Sequence, residues 1–200
     1  DAWLGAPAWG LSSGPGLAVV TGDIGMGAHA AQGLDGVRLL LLAQHWRLDA
    51  LADAEAARGT PPWQGLPATA FGPVAVTPDE VGAAWDGEKL DRPILSFIND
   101  EPMGCANTGR DMFFTYTTLI AHAARTRSLS AGTIIGAGAV SNLDHATGYA
   151  CLAEKRADEE LRDGKATTSW LKFGDRVRID MVDTAGASIF GAIDNVVARG

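Results

Sequence analysis

The feature that most limits what this chain can fold into is a series of short apolar or alternating runs, each bounded by residues that favour turns. Runs of this length that are rich in Val, Ile, Leu and Phe are typical of β-strands. They lie at residues 17–21, 38–44, 74–77, 93–98, 133–135, 176–182 and 188–193. Within 176–182, polar and apolar residues alternate, so this strand should have one face in water. The pattern predicts a β-rich chain.

Helices are predicted in fewer places. Thr77 and Pro78 provide an N-cap and a first helical position for a short helix. Residues 111–127 carry an apolar stripe at helical spacing, with arginines towards the end of the segment. Residues 150–162 form another candidate, which Gly164 would terminate. A sheet-forming chain with a few helices between its strands predicts an α+β, β-rich fold.

The composition argues against several kinds of partner. Of 200 residues, 46% are hydrophobic and 20% charged, which is enough for one domain with a sizeable core. The net charge of −8 argues against a nucleic-acid partner, because phosphate binding requires clustered Lys and Arg. The longest apolar run, 37–43, is too short to span a bilayer, and no membrane partner is expected. Cys105 and Cys151 fit neither a disulfide nor a metal spacing, so we expect a reduced, cytoplasmic setting.

One stretch does not fit the strand pattern. The run at 17–21 is preceded by Ser12-Ser13-Gly14-Pro15-Gly16, whose residues fit a β-ladder poorly and carry no charge. The strand is therefore expected to begin at Leu17. Residues 12–16 then require an explanation of their own.

Several longer segments point to a known family. They are GTIIGAGAVSN (132–142), GYACLAEKR (148–156), WLKFGDRVRIDM (170–181) and SIFGAID (188–194), together with LIAHAARTR (119–127) and PATAFGPVAVTPDE (67–80). In their order and spacing they resemble the fumarylacetoacetate hydrolase (FAH) superfamily over essentially the whole chain. The resemblance implies a mixed, rolled β-sheet domain, with residues 1–200 as the FAH-like C-terminal domain and the family's N-terminal lid lying before Asp1, outside this chain. It also implies a homodimer; for a catalytically inactive member, the alternative is a heterodimer with a paralogue.

The resemblance has a further implication for metal binding. Members of this superfamily bind Mg²⁺ or Mn²⁺ through a Glu-x-Glu pair and an Asp, and act on 1,3-diketo or 2-oxo acids. Carried over onto this sequence, the two Glu positions fall on Gly14 and Gly16, and the Asp position on His45. A substrate-holding Lys falls on Leu66, and a Thr of the substrate turn on Ala139. A single imidazole cannot hold a hard cation, so we expect no metal and no cofactor. We interpret residues 13–16 as the segment that carries the metal ligands in the family, with those ligands replaced.

The catalytic candidates are His45, Arg47 and Asp49. His45 occupies the position of the former Asp ligand and can act as a general acid or base near neutral pH. Arg47 and Asp49 follow at alternate positions, so on a continuing strand they would share its face. Arg47 would then bind a carbonyl or anionic oxygen, and Asp49 would orient His45. The alternatives are that His45 only fills a cavity and that Arg47 and Asp49 form a surface ion pair.

Three of the substrate-binding candidates lie in a glycine-rich turn at residues 136–141. Glycine allows the backbone to approach a ligand closely, although the turn itself also requires it. The candidates are Gln64, Gly138, Ala139, Ser141 and Tyr149.

Three functions remain open from the sequence. The first is a metal-independent enzyme of secondary metabolism, of cyclase, dehydratase, tautomerase or decarboxylase type, that acts on a keto or enol small molecule. The second is a catalytically inactive member that serves as a partner or scaffold subunit. The third is a divalent-metal C–C hydrolase of the usual family kind. A cavity filled by Leu66 and Trp46 would argue against the first.

Overall fold

A computed structural model describes residues 1–200 apart from the side chain of Leu34. The strands are β1 (Ala2–Leu4), β2 (Leu11–Thr21), β3 (Val37–Leu48), β4 (Ala68–Phe71), β5 (Leu95–Ile98), β6 (Glu101–Gly104), β7 (Ile134–Ala137), β8 (Arg176–Asp180) and β9 (Ile193–Arg199). The α-helices are α1 (Ala30–Leu34), α2 (Asp49–Ala57), α3 (Tyr116–Ala123) and α4 (Leu152–Asp163), with 3₁₀ turns at Pro7–Trp9, Pro78–Ala84 and His145–Thr147.

The strands form two sheets. One is five-stranded in the order β1-β9-β8-β5-β6, and the other is four-stranded in the order β4-β3-β2-β7. In the four-stranded sheet β2 pairs antiparallel with both β3 and β7, and β3 pairs antiparallel with β4. The α+β, β-rich fold class predicted from the sequence is therefore confirmed.

The main core lies between the two sheets. Its buried side chains include Leu17 and Leu42 from the four-stranded sheet and Ile179 and Ile193 from the five-stranded one. Tyr116 at the start of α3 joins this core, and its buried hydroxyl donates to the carbonyl oxygen of Leu17 over 2.6 Å. Helix α3 is thus fixed to the middle of β2 by both apolar contact and a hydrogen bond.

Two predicted strands are wrong. Residues 74–77 make only the single bridge Leu40–Val76, and residues 188–192 only the single bridge Val182–Ser188, while Ile193 already belongs to β9. Pro73 and Pro78 flank the first of these segments, and proline has no N–H to extend a ladder. The last strand is instead β9, further along the chain.

The predicted helices are confirmed in part. The segment predicted at 111–127 is helical only from Tyr116 to Ala123, because Asp111 has a left-handed φ of 59° and Thr115 forms the N-cap. Gly164 ends α4 in the left-handed region, as predicted. Among the helices that the structure describes, none has the length and apolar character needed to cross a bilayer.

The predicted start of strand β2 at Leu17 is also wrong, and this matters for the site. Strand β2 begins at Leu11, so the Ser-Ser-Gly-Pro-Gly stretch is a buried, regular part of its ladder with β3. The glycines are needed because the chain after β7 crosses close to them. A Cβ on Gly16 would lie 2.8 Å from the carbonyl oxygens of Ala137 and Gly138, and one on Gly14 would lie 2.8 Å from the Cβ of Ala139. Close backbone approach, rather than a loop, explains these residues.

A carboxylate in α4 gives the fold an expected acid sensitivity. Glu159 accepts hydrogen bonds from the Thr168 hydroxyl and from the backbone N–H groups of Thr168 and Thr167, and these bonds hold its pKa at about 2. The folded state therefore gains stability above the ordinary pKa of 4.5 and loses it as the pH falls towards 2. Glu159→Gln should lower the denaturant midpoint at pH 7 and flatten its fall in acid.

Denaturant unfolding measured across this pH range checks the expectation. Glu160→Gln, one residue further along the same helix, is the control and should unfold like the wild type. Identical pH curves for Glu159→Gln and the wild type would contradict the assignment.

Candidate functional site

A cavity of about 340 Å³ lies on the face of the four-stranded sheet that points away from the main core. Alternation along the strands brings its polar residues to this face. Gly14 of β2 lies opposite His45 of β3, which lies opposite Thr69 of β4. The lining residues are Ser12, Gly14, His45, Trp46, Arg47, Leu66, Ala68, Thr69, Gly136, Gly138, Ala139 and Cys151.

Four positions singled out from the family resemblance line this one cavity. They are Gly14, His45, Leu66 and Ala139, and they come from distant parts of the chain. Leu66 is 49% exposed, so it borders the cavity rather than filling it. The cavity is open, although Trp46 also contributes to its wall.

The imidazole of His45 has one satisfied and one unsatisfied nitrogen. Nδ1 lies 3.1 Å from the Thr69 hydroxyl, while Nε2 is buried without a hydrogen-bond partner among the described residues. Burial lowers the pKa of His45 below its usual 6.5, so the ring is neutral at pH 7. Most buried polar atoms in proteins are paired, so the unpaired Nε2 is an exception to the usual arrangement.

Arg47 and Asp49 form an ion pair next to the cavity. Nε of Arg47 lies 2.8 Å from Asp49, and Nη2 lies 3.1 Å from Asp53. The Ser12 hydroxyl donates to the other oxygen of Asp49 over 2.5 Å. Arg47 lines the cavity, whereas Asp49 begins helix α2 beside it.

The expectation that Asp49 orients His45 is not supported by any contact. Both carboxylate oxygens of Asp49 are engaged by Arg47 and Ser12, and the hydrogen-bond partner of His45 is Thr69. The reason is that β3 ends at Leu48, so Asp49 is the first residue of a helix and no longer follows the alternation of the strand.

The substrate-binding candidates divide into two groups. Gly138 and Ala139 line the cavity. Ser141 lies behind them in a separate cavity of about 250 Å³, and its hydroxyl donates to Glu154 over 2.5 Å. Tyr149 donates to Asp158 over 2.5 Å, a bond that raises the pKa of its phenol, and Gln64 is exposed. Neither of these two side chains lines the cavity.

Three cavity residues with a hydroxyl or thiol side chain were missed by sequence reasoning. Ser12 could have been found from its alternation with Gly14, had the strand been extended to Leu11. Cys151 was interpreted as a core residue, and burial raises the pKa of its thiol, which keeps it protonated at pH 7. Thr69 gave no signal, since its position depends on how β4 pairs with β3.

The residues present do not fit the divalent metal that the family resemblance implies. The cavity wall contains one imidazole and no carboxylate, whereas Mg²⁺ and Mn²⁺ require several oxygen ligands. Across the described residues, no group of three or more His, Cys, Asp or Glu side chains converges to hold a metal ion. The contact of Gly14 with Ala139 also leaves no room for a carboxylate at position 14 without movement of the backbone.

Comparison with solved structures shows the same fold in other proteins. A structure assigned to the fumarylacetoacetate hydrolase family from Yersinia pestis CO92 has a TM-score of 0.67 and 16% identity, covering 98% of this chain and 77% of that one. The 5-carboxymethyl-2-hydroxymuconate delta-isomerase from Mycobacterium smegmatis and the 2-hydroxyhepta-2,4-diene-1,7-dioate isomerase from Mycobacterium marinum each have a TM-score of 0.61 and 15% identity. Each alignment covers 100% of this chain and 64% of the isomerase, so this chain spans less than two thirds of their length.

The sequence itself places the chain in a family. No curated protein matches it significantly. The family described as Fumarylacetoacetate (FAA) hydrolase C-terminal matches residues 4–198, nearly the whole chain and every strand that builds the cavity. This chain therefore belongs to the fumarylacetoacetate hydrolase family and carries its C-terminal domain.

Proposed function

We propose that this chain is a metal-independent enzyme that binds a keto or enol small molecule in the cavity and uses His45 to move a proton. The observation that carries the proposal is the unpaired Nε2 of a neutral imidazole in the wall of an open cavity. A cavity of about 340 Å³ falls within the size range of small-molecule sites.

The contacts of His45 suit a general base. In the tautomer in which Nδ1–H donates to the Thr69 hydroxyl, Nε2 carries the free lone pair. Nε2 is buried in the structure, so a small turn of the ring would bring it to a bound substrate. There it would take a proton from the carbon next to a carbonyl, or from an enol hydroxyl, and return it at another atom of the same molecule. Thr69 is then a positioning residue that fixes the tautomer.

The remaining cavity residues would hold the substrate. Arg47 has N–H groups beyond those bonded to Asp49 and Asp53, and these can donate to a carbonyl oxygen in the cavity. Gly138 leaves open space at the cavity wall, since a Cβ there would meet nothing within 4 Å. Positioning together with one acid–base group is sufficient for tautomerisation, dehydration, cyclisation or decarboxylation.

Among these reactions a tautomerase or isomerase reaction has additional support. The two mycobacterial structures described above carry the names of isomerases. A proton shift within one molecule is chemistry that a single neutral imidazole can perform. A cytoplasmic role in secondary metabolism and a small-molecule substrate belong to the same proposal.

Filling the cavity tests whether it is the working site. Gly138→Leu should place a side chain in open space, with little effect on stability and loss of substrate binding. A strain deleted for this gene should accumulate a precursor that the wild-type protein clears and Gly138→Leu does not, as measured by metabolite profiling.

Gly25→Leu is the matched control, because Gly25 also has open space around it but lies outside the cavity. It should clear the precursor as the wild type does. Clearance by a well-expressed Gly138→Leu would show that the chemistry, if any, takes place elsewhere.

The second candidate function is a partner subunit, either in a homodimer or beside a paralogue. Its support is an exposed apolar patch formed by Phe113, Phe114 and Leu143, of which Phe113 is 88% and Leu143 84% exposed. A hydrogen bond from the Leu143 N–H to Asp111 holds the two segments together. If this were the main function, variants of the cavity would leave the metabolite profile unchanged.

A further inference from the structure

The charges around the cavity indicate what kind of carbonyl compound it can accept. Arg47 is the one residue in the described cavity wall that is charged at pH 7, since burial keeps His45 neutral. An arginine in a binding cavity usually favours a carboxylate or phosphate ligand. In this cavity, the preference for an anion depends on whether the positive charge of Arg47 is already neutralised by neighbouring carboxylates.

Arg47 is already neutralised by two carboxylates. Asp49 lies 2.8 Å from its Nε and Asp53 lies 3.1 Å from its Nη2. One guanidinium with two carboxylates leaves this group of three with one net negative charge. Asp49 is buried, so its repulsion of an incoming anion is weakly screened.

No other basic group in the described wall compensates. The position that the family resemblance assigns to a substrate-holding lysine is Leu66, at the border of the cavity. The other lining side chains are neutral, and the chain as a whole carries a net charge of −8. A carboxylate substrate would therefore lose its hydration without gaining a free cation.

We infer that the cavity selects uncharged carbonyl compounds, such as neutral 1,3-diketones or their enols, and rejects the carboxylate analogues. This inference rests on the proposed function and names its substrate class. It also sets this chain apart from proteins whose names, such as 1,7-dioate isomerase, indicate dianionic substrates.

Two probes of nearly equal shape test the inference. One is the neutral diketone 1-phenylbutane-1,3-dione, and the other is 2,4-dioxo-4-phenylbutanoate, in which a carboxylate replaces the terminal methyl group. Titration calorimetry at pH 7 in low salt should show that the wild type binds the diketone about tenfold more tightly than the acid. Equal or tighter binding of the acid would overturn the inference, as would binding of neither probe.

A substitution that removes one of the carboxylates beside Arg47 provides a more specific test of the inference. Asp53 has a side chain that is 75% exposed, so Asp53→Asn should fold normally while removing one of the two carboxylates. It should strengthen binding of the acid several-fold and leave binding of the diketone unchanged. A change in neither affinity, or an equal change in both, would overturn the role assigned to Arg47 and its acids.

Asp100→Asn is the matched control. Asp100 is 74% exposed and is likewise one of two acids on an arginine, Arg176, but it lies outside the cavity. It should change neither affinity. These binding results are independent of turnover: preference for the acid, together with loss of precursor clearance in Gly138→Leu, would overturn the substrate class and leave the proposed enzyme standing.

Discussion

Replacement of His45 by alanine is expected to lower turnover by a factor of about 10²–10⁴, the usual contribution of a general acid or base. In cells, a deletion strain complemented with His45→Ala should keep the accumulated precursor that the wild type clears. The reason is that His45 is the cavity residue that can exchange a proton near neutral pH, with Nδ1 held by Thr69 and Nε2 free of protein partners.

The pH dependence of the wild type provides an independent readout. Burial lowers the pKa of His45 below 6.5, so the base form predominates at pH 7 and is lost as the pH falls through that lowered value. The acid limb of the wild-type rate profile should therefore lie below pH 6.5. Full clearance by an equally expressed His45→Ala would make the imidazole a packing residue and favour the partner-subunit function.

The largest expected effect on stability comes from adding one methyl group at Gly16. Its Cβ would lie 2.8 Å from two backbone carbonyl oxygens, those of Ala137 and Gly138. Backbone atoms cannot rotate away as a side chain can, so β2 and the segment after β7 would have to separate. Gly16→Ala should lower the free energy of unfolding by about 1–3 kcal/mol, the range of overpacked cores.

Denaturant unfolding with Gly25→Ala as control measures this effect. A Cβ on Gly25 would meet nothing within 4 Å, so that variant should change stability by well under about 1 kcal/mol. Equal midpoints for the two variants would show that the approach of the 137–138 segment to β2 is looser than described.

The fold was largely predictable because its strands carry their own signals. The run at 17–21 and the run at 38–44 are apolar enough to be recognised in isolation, and both lie in the core as parts of β2 and β3. The extension of β2 back to Leu11 was not predictable from propensity. Gly14 and Gly16 are poor strand formers, and only the chain that crosses them after β7 makes them necessary.

The site was predictable at positions that the family resemblance assigned. His45 and Gly14 were identified from the resemblance, and pairing of β2 with β3 places them opposite each other. Thr69 and Tyr149 show the limit of such reasoning. The first reaches His45 through the register of β4, and the second turns to Asp158 on α4, and neither arrangement leaves a pattern in the sequence.

The absence of carboxylates from the described cavity wall also has an expected consequence for turnover. A wall with one imidazole and no acidic side chain provides proton transfer but not the oxygen ligands of a hard cation. Turnover should therefore not require a divalent ion.

The most direct measurement is turnover of the accumulated precursor by the purified protein after dialysis against EDTA, with and without added Mg²⁺ or Mn²⁺. We expect equal rates under both conditions and loss of the rate in His45→Ala. A rate abolished by EDTA and restored by Mg²⁺ or Mn²⁺ would contradict metal-independent catalysis in this cavity.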